Sequence, residues 1–311
     1  MRRYIIKRIL QALATMFIVC LIVFVMGHMS GDPTMFILGA NASDADREAL
    51  REMLGLNKPL LDQFVDYFWG ILHGDFGTSL TWREPTLTLF AEFFPMTLKL
   101  AIAAAIFASI LGITLGVFSA VRPMSLLDRF CVGISMIGQS TPSFWTGILL
   151  VQVFSLALGL LPSSGSETAA HMILPTIALG WFSTSSIMRI TRSSMIEVLS
   201  AESIKLCRTK GLPERLVVWK HALKNALPSV LTIVGVQFGY LLSGSVVTEK
   251  IFAWPGIGRL CVSAIFNRDL PVIIAYVLVM AVFFILFNLL SDLALAALDP
   301  RARRGGAGEA A

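Results

Sequence analysis

The sequence predicts an all-α, polytopic membrane protein with six transmembrane helices, and three observations predict it. Of its 311 residues, 56% are apolar and 14% are charged, a balance that belongs to the membrane class. Six segments come close to or exceed the roughly 20 apolar residues that cross a bilayer: residues 9–27, 95–120, 130–158, 172–188, 230–247 and 271–295. Between them Lys and Arg fall unevenly, with 17 in residues 1–8, 121–130, 189–228 and 299–311 against 7 in residues 30–93, 159–172 and 248–270. Positive residues gather on the cytoplasmic side of a membrane, so both termini are expected inside. The formal net charge of +5 reflects that topology and is not a nucleic-acid footprint.

The first span follows a basic start, Met1-Arg2-Arg3-Tyr4-Ile5-Ile6-Lys7-Arg8, and Ala40-Asn41-Ala42 resembles a cleavage triplet. The apolar run is longer than the core of a signal peptide and the triplet lies well past its end, so the segment is expected to remain as a membrane helix. Residues 30–93 form a long insertion on the outer side, with ten Asp/Glu against four Lys/Arg. Within it, Ser43 three residues before Asp46 opens one helix that Gly55 ends. Pro59 opens a second, with Leu61, Phe64, Val65, Phe68 and Leu72 at helical spacing and Gly74 closing it. That helix is expected on the membrane face or against neighbouring spans. His73 has no second histidine at ligand spacing and reads as a solvated or hydrogen-bonded side chain.

Small residues recur four apart in the second span, at Ala104, Ala108, Gly112 and Gly116, and in the fifth, at Gly235, Gly239 and Ser243. Such stripes let helix backbones approach in lipid. The third span is interrupted at Gly138-Gln139-Ser140-Thr141-Pro142-Ser143. Proline removes a backbone donor, and the polar residues around it either line a solvated path or relieve a kink. Gln237 in the fifth span is either interhelical glue or a group of the same path. The fourth span is the shortest, diluted by Gly180, Ser183, Thr184, Ser185 and Ser186. In the outer loop 248–270, Trp254-Pro255-Gly256 forces a turn with an aromatic at interfacial depth.

What is missing narrows the energy source. Charges inside the spans are Lys99 and Asp292, both near span ends and within snorkelling or interfacial reach. Ion-coupled carriers keep mid-membrane carboxylates, histidines or unwound ion-binding helices, which argues against a secondary carrier. No Lys precedes Ser or Thr, so the phosphate loop of an ATPase is absent, and so are the common hydrolase motifs. A chain of this kind catalyses nothing itself, needs no cofactor, and depends on another subunit for energy. Cys20, Cys131, Cys207 and Cys261 offer neither a disulfide framework nor metal-ligand spacing.

Residues 189–228 are the polar exception. Met195, Ile196, Leu199, Ile204 and Leu206 offer an apolar side, with Glu197, Glu202, Lys205, Arg208 and Lys210 around it. Gly211 ends this helix and Pro213 starts the next, where Leu216, Trp219, Leu223 and Leu227 repeat at helical spacing. Such a helix–break–helix either docks on a partner or rests on lipid headgroups.

Here the sequence resembles a known family. Glu202-Ser203-Ile204-Lys205-Leu206-Cys207-Arg208-Thr209-Lys210-Gly211-Leu212, followed by Lys220-His221-Ala222-Leu223-Lys224-Asn225-Ala226-Leu227-Pro228, is similar to the coupling loop of ABC-importer permeases, more narrowly of the dipeptide/oligopeptide/glutathione/nickel group. Gly31-Asp32-Pro33, Leu54-Gly55-Leu56-Asn57-Lys58-Pro59, His73-Gly74-Asp75-Phe76-Gly77, Pro142-Ser143-Phe144-Trp145, Thr191-Arg192-Ser193-Ser194-Met195, Trp254-Pro255-Gly256-Ile257-Gly258-Arg259 and Leu298-Asp299-Pro300-Arg301 extend the resemblance along the chain. The departures are Ser203, Lys205, Leu206 and Cys207, where the family usually has an aromatic, an arginine and Thr-Ala.

The resemblance implies a single permease domain over residues 1–311 with the type I importer fold. It implies a second homologous permease subunit, two cytosolic ATP-binding subunits and an extracytoplasmic substrate-binding protein as partners in the lipid bilayer of a bacterial or archaeal inner membrane. Coupling to the ATPases would fall to Glu202, Lys205, Arg208, Gly211, Leu212 and His221. The translocation path would pass Gln139, Ser140, Ser143 and Gln237, and the binding protein would touch Trp254, Pro255 and Gly256. Short peptides, including glutathione-like ones, are the favoured cargo over nickel chelates, because Met16, Met26 and Met136 are scattered and no row of soft ligands lines the path.

Overall fold

Small residues decide how the central helices meet. The computed structural model describes residues 2–29, 42–53 and 55–298, together with Thr34 and Leu38. Among these, α1 covers Arg2–Met29, α2 Asp44–Met53, α3 Leu60–Leu72, α4 Thr86–Val121, α5 Leu126–Ser140 and α6 Ser143–Leu150, the last continued by a π-helical stretch Val151–Ala157. Then come α7 Ala170–Ser200, α8 Glu202–Thr209, a short turn Glu214–Leu216 with a π-helical stretch Val217–Ala222, α9 Leu223–Ile251, α10 Ile257–Phe266 and α11 Leu270–Leu298. Gly31-Asp32-Pro33 and Asp299-Pro300-Arg301 lie outside the described residues, as does the Asp292 side chain. The chain forms two compact units, residues 96–258 with 284–311 and residues 2–95 with 259–283.

In the first unit α4 lies against α7 at backbone contact. A Cβ at Gly112 would sit 2.8 Å from the Thr184 carbonyl oxygen, one at Gly116 2.8 Å from that of Met188, and one at Gly180 3.0 Å from that of Ala104. The stripe predicted on the second span is this contact. Leu100, Ala104, Ala108, Val117 and Ala120 carry the buried side of α4 from end to end, against Leu179, Ile187 and Met195 of α7 and Val230 and Leu241 of α9. On α9, Gly239 leaves room for the Phe284 ring, 3.2 Å from where its Cβ would be.

Because α7 is enclosed, it need not be greasy. Ser183, Thr184, Ser185, Ser186 and Thr191 are all buried. Thr184 Oγ1 donates to the Gly180 carbonyl at 2.9 Å, Ser135 Oγ to that of Ser185 at 3.2 Å, and Ser183 Oγ to Gln237 Oε1 at 3.1 Å. A buried polar group in lipid needs such partners. This explains a difference from the predicted spans. Among the described residues, four helical runs, Ile9–Met29, Thr86–Val121, Glu214–Ile251 and Leu270–Phe287, are long and apolar enough to cross a membrane. The predicted third and fourth are not: the third is divided at Thr141, and the fourth is a helix of 31 residues rich in covered hydroxyls. The second begins at Thr86 and carries Pro95 inside it, instead of beginning there.

In the second unit, α3 packs on α1 through aromatics. Phe17 meets Phe64 and Phe68 edge-on at 5.8 and 5.7 Å, and Phe24 meets Phe64 at 5.3 Å. Cys20, Val23, Ile71 and Leu278 form the core beside them. The predicted caps are present: Ser43 Oγ accepts from the Asp46 amide at 3.2 Å and donates to its carboxylate at 2.6 Å, while Gly55 and Gly74 have φ of +68° and +81°. The predicted stripe splits, however, with Phe64 and Phe68 inward and Leu61, Val65 and Leu72 exposed. His73 Nδ1 lies 2.9 Å from the Trp69 carbonyl oxygen. A turn between Gly77 and Thr86 is tied to the start of α11 by Ser79 Oγ and the Thr81 amide, which donate to Asp269 at 2.6 and 2.9 Å.

The glycine contact yields a contrast. Gly116→Ala adds a methyl where Thr191 and Met188 leave no room, whereas a Cβ at Gly133 meets nothing within 4 Å. Overpacking costs about 1–3 kcal/mol, while Ala for Gly in an open helix gains up to about 1 kcal/mol. Thermal unfolding in detergent should therefore come earlier for Gly116→Ala and no earlier for Gly133→Ala. Equal midpoints for the two would contradict the contact.

Candidate coupling surface and translocation break

The end of α7 turns into α8 through a single extended residue, Ala201 at φ −67° and ψ 148°. α8 is pinned by Ile204, buried with Met195, Val217, Val218, Ala222, Ala226, Val117 and Ala120. Residues two apart point to opposite sides of a helix, so Leu206 does not join Ile204. It is 55% exposed, a correction to the apolar side predicted from sequence. The free face of α8 carries Glu202, Ser203, Lys205, Leu206 and Thr209, and Cys207 is half-buried.

Gly211 closes the helix. Its φ is +77°, its amide donates to the Arg208 carbonyl at 2.9 Å, and the Leu212 amide reaches back to that of Cys207 at 3.3 Å. This left-handed ending suits glycine. An added Cβ there would meet nothing within 4 Å, so the constraint is backbone conformation and not space. Arg208 and Glu214 bridge the turn, with Nη2 2.7 Å from Oε1 and Nε 3.2 Å from Oε2. Arg208 draws the Glu214 carboxyl below its ordinary value. Both side chains remain substantially exposed.

After the turn, the predicted face of Leu216, Trp219, Leu223 and Leu227 is not the fully buried one, although Leu223 packs against the same core. Val217, Val218, Ala222 and Ala226 are buried instead, and Trp219 is exposed, edge-on to Phe118 at 6.1 Å. In the π-helical stretch Val217–Ala222, Val217 and Ala222, five residues apart, are buried in the same core. His221 sits half-buried on this stretch.

Sequence reasoning missed the strongest polar contact here. Arg192 on α7 grips Asp128 at two points, Nε to Oδ1 at 2.8 Å and Nη2 to Oδ2 at 2.8 Å. Ser119 Oγ of α4 also donates to Asp128 Oδ1, and the Met124 amide donates to Oδ2 at 2.7 Å. Met124 is held at φ +64° in the turn between α4 and α5. The clue was Ser125 three residues before Asp128, a cap in which the Asp128 amide donates to Ser125 Oγ at 3.2 Å. Nothing in the sequence pointed across 64 residues to Arg192. The guanidinium, chiefly, with the Ser119 hydroxyl and the Met124 amide, holds the Asp128 carboxyl well below the usual carboxylate range.

At its other end α5 stops at Ser140. Thr141 Oγ1 donates to the Ile137 carbonyl at 2.6 Å, and Pro142 opens α6. The Ile137 carbonyl thus accepts from both the amide and the hydroxyl of Thr141 at the end of α5. Gly138 presses on α7, where a Cβ would strike the Ser185 hydroxyl. Gln139 and Ser143 are half-buried, Ser140 is exposed, and Gln237 is 8% exposed and bonded to Ser183. Gln237 therefore joins α9 to α7.

The Trp-Pro-Gly turn is an internal brace. Trp254 is 1% exposed, and its Nε1 donates to the Met96 carbonyl at 2.9 Å. Thr97 Oγ1 donates to the buried Glu249 carboxyl at 2.7 Å and accepts from the Ile257 amide at 2.9 Å. Gly256 is glycine because a Cβ would run into Thr97 and Glu249. This corrects the expected contact surface: the Trp254 and Gly256 positions are enclosed, and Pro255 is half-buried.

The ion pair has a defined pH signature. Removing one partner of a buried pair costs about 3–5 kcal/mol. Because the folded Asp128 carboxyl titrates below its unfolded value of about 3.9, its contribution is complete above that value and is lost as pH falls through it toward the folded one. The unfolding midpoints of wild type and Asp128→Asn should differ by a constant gap from pH 8 to about pH 5 and converge below about pH 4. A gap that varies between pH 6 and 8 would contradict the assignment.

Comparison with known proteins agrees with this architecture. The family described as "Binding-protein-dependent transport system inner membrane component" matches residues 112–304, and its N-terminal companion matches residues 1–101. The glutathione transport system permease protein GsiC of Escherichia coli K12 is 43% identical over 97% of this chain and 99% of its own length. The GsiC protein of Shigella flexneri serotype 5b is 42% identical over the same shares. Among solved structures, an inward-facing MetNI methionine ABC transporter superposes with a TM-score of 0.56 at 21% identity, covering 68% of this chain and 97% of that one. An amino acid ABC transporter crystallised with histidines gives 0.51 at 16% identity, covering 69% and 94%. These structures share the fold, and the sequence matches carry the identity: the chain belongs to the binding-protein-dependent transport system inner membrane components, the permeases of ABC importers.

Proposed function

We propose that this chain is one of two permease subunits of a type I ABC importer and that it passes short peptides, glutathione-like ones included, across the inner membrane. Six spans with both termini inside would place α8 in the cytosol, where it would lie in a groove of one ATPase. The observation that carries the reading is α8 itself: a short helix pinned by Ile204 on one side, bare on the other, and stopped by a left-handed Gly211. The likeness to GsiC at 43% identity supports the peptide class.

ATP-driven closure of the two ATPases would pull α8 and the end of α7 together, and hydrolysis would let them return. The coupling contacts fall to Glu202, Lys205 and Leu206 on the free face, with Arg208 bracing the turn through Glu214. Gln139, Ser140 and Ser143 at the break are the groups proposed to line the path. The binding protein would dock on the outer loops, with Pro255 the part of the braced turn nearest the surface.

The test is uptake into proteoliposomes holding this chain with the second permease, the two ATPases and the binding protein of its importer. Labelled glutathione and di- to pentapeptides should accumulate with ATP, and nickel–histidine should not. In the same vesicles, uptake should fall in the order Gly211, Gly211→Asn, Gly211→Ala, Gly211→Pro, because the left-handed conformation costs an L-residue about 1–2 kcal/mol and proline cannot adopt it. Protein levels should stay constant. Accumulation of the nickel complex alone, or full uptake with Gly211→Pro, would overturn the reading.

A further inference from the structure

The Asp128–Arg192 pair joins the coupling segment to the break. Arg192 stands on α7, upstream of that helix's end at Ser200 where the chain turns into α8, and Asp128 on the first turn of α5, whose far end is the interruption at Thr141. Ser119 of α4 and the Met124 amide take up further capacity of the carboxylate. Asp128 is 3% exposed and Ser119 fully buried. Two-point guanidinium–carboxylate contact fixes rotation as well as separation, which a single contact or an apolar patch does not. An apolar core already lies beside it, in Val117, Ala120 and Met195. An ion pair with a buried carboxylate adds little stability that apolar side chains would not. Between the pair and the break, α5 is one uninterrupted helix of 15 residues.

We propose that Asp128 and Arg192 are positioning residues for transport: they make the end of α7 and the whole of α5 move as one body, so that motion of α8 reaches the break carrying Gln139, Ser140 and Ser143. This rests on the importer reading above. Neither residue touches the transported molecule; each acts through α5. When the pair is loosened, the ATPases still work on α8, but the break no longer follows, and ATP is spent without transport.

The test uses the whole importer in proteoliposomes supplied with a labelled mixture of glutathione and di- to pentapeptides. ATP hydrolysed per peptide taken up is measured for wild type, R192K, D128E and the exchanged D128R/R192D. R192K and D128E keep both charges and lose the two-point geometry. They should assemble at wild-type levels with the ratio raised about fivefold or more, within the usual range of coupling between sites, and the exchanged pair should return part of the way. A nitroxide at Ser140 supplies a readout that needs no peptide: its ATP-induced spectral change should be present in wild type and lost in R192K. Unchanged ratios together with an unchanged Ser140 response would overturn the inference. Failure of both conservative variants to assemble would overturn it too, since the pair would then serve the fold alone. Wild-type vesicles without ATP-driven peptide uptake would instead count against the peptide-importer reading, and the Ser140 response would then decide the inference by itself.

Discussion

The constraint on which the first unit depends is the backbone-to-backbone approach of α4 and α7. In lipid, apolar side chains gain nothing by leaving hydrocarbon for protein, so association rests on close packing and hydrogen bonds. Gly112 and Gly116 on one helix and Gly180 on the other bring carbonyl oxygens within 2.8–3.0 Å of where a Cβ would be. With α7 enclosed in this way, its hydroxyls can bond to Gln237 and to its own backbone, and its Ser185 carbonyl can accept from Ser135, at no cost in exposed polarity. A central helix too polar to face lipid becomes possible only because its neighbours cover it.

From that helix the two functional ends follow. Toward α8, α7 finishes in an apolar cluster that seats Ile204 and leaves Leu206 bare. Toward the break, α5 lies against α7 at Gly138, and its first turn is held by Arg192. The same helix therefore carries the surface that would meet an ATPase and borders the interruption that would meet cargo. Distributing these roles over rigid helices joined at few points is how a small displacement becomes a change between two discrete arrangements.

How much of this was legible in the sequence depends on sequence separation. Local chemistry was readable: the caps at Ser43, Gly55 and Gly74, the interruption at Thr141-Pro142, the left-handed stop at Gly211 and the small-residue stripe all rest on neighbours within a turn or two. Cross-helix partners were not. Arg192 with Asp128, Glu249 with Thr97 and Trp254 with Met96 each join segments far apart in the chain, and no periodicity encodes them. Trp254 was read as a surface aromatic because tryptophan favours the membrane interface, yet here its indole is used to fasten a turn. After Pro213 the buried residues are Val217, Val218, Ala222 and Ala226, in and beyond a π-helical stretch that a 3.6-residue period does not describe. The fourth span fails a hydropathy reading for a physical reason: Ser183, Thr184, Ser185 and Ser186 are buried within the protein, where hydroxyls can be partnered.

The central claim is that the bare face of α8 meets an ATPase and not a lipid surface. Leu206, exposed on that face, and Ile204, buried beneath it, make the measurement direct. A photo-crosslinking phenylalanine analogue at position 206 of the intact importer should capture the partner ATPase, and one at position 204 should capture only this chain. Capture of phospholipid at 206, with the ATPase present and active, would contradict the account.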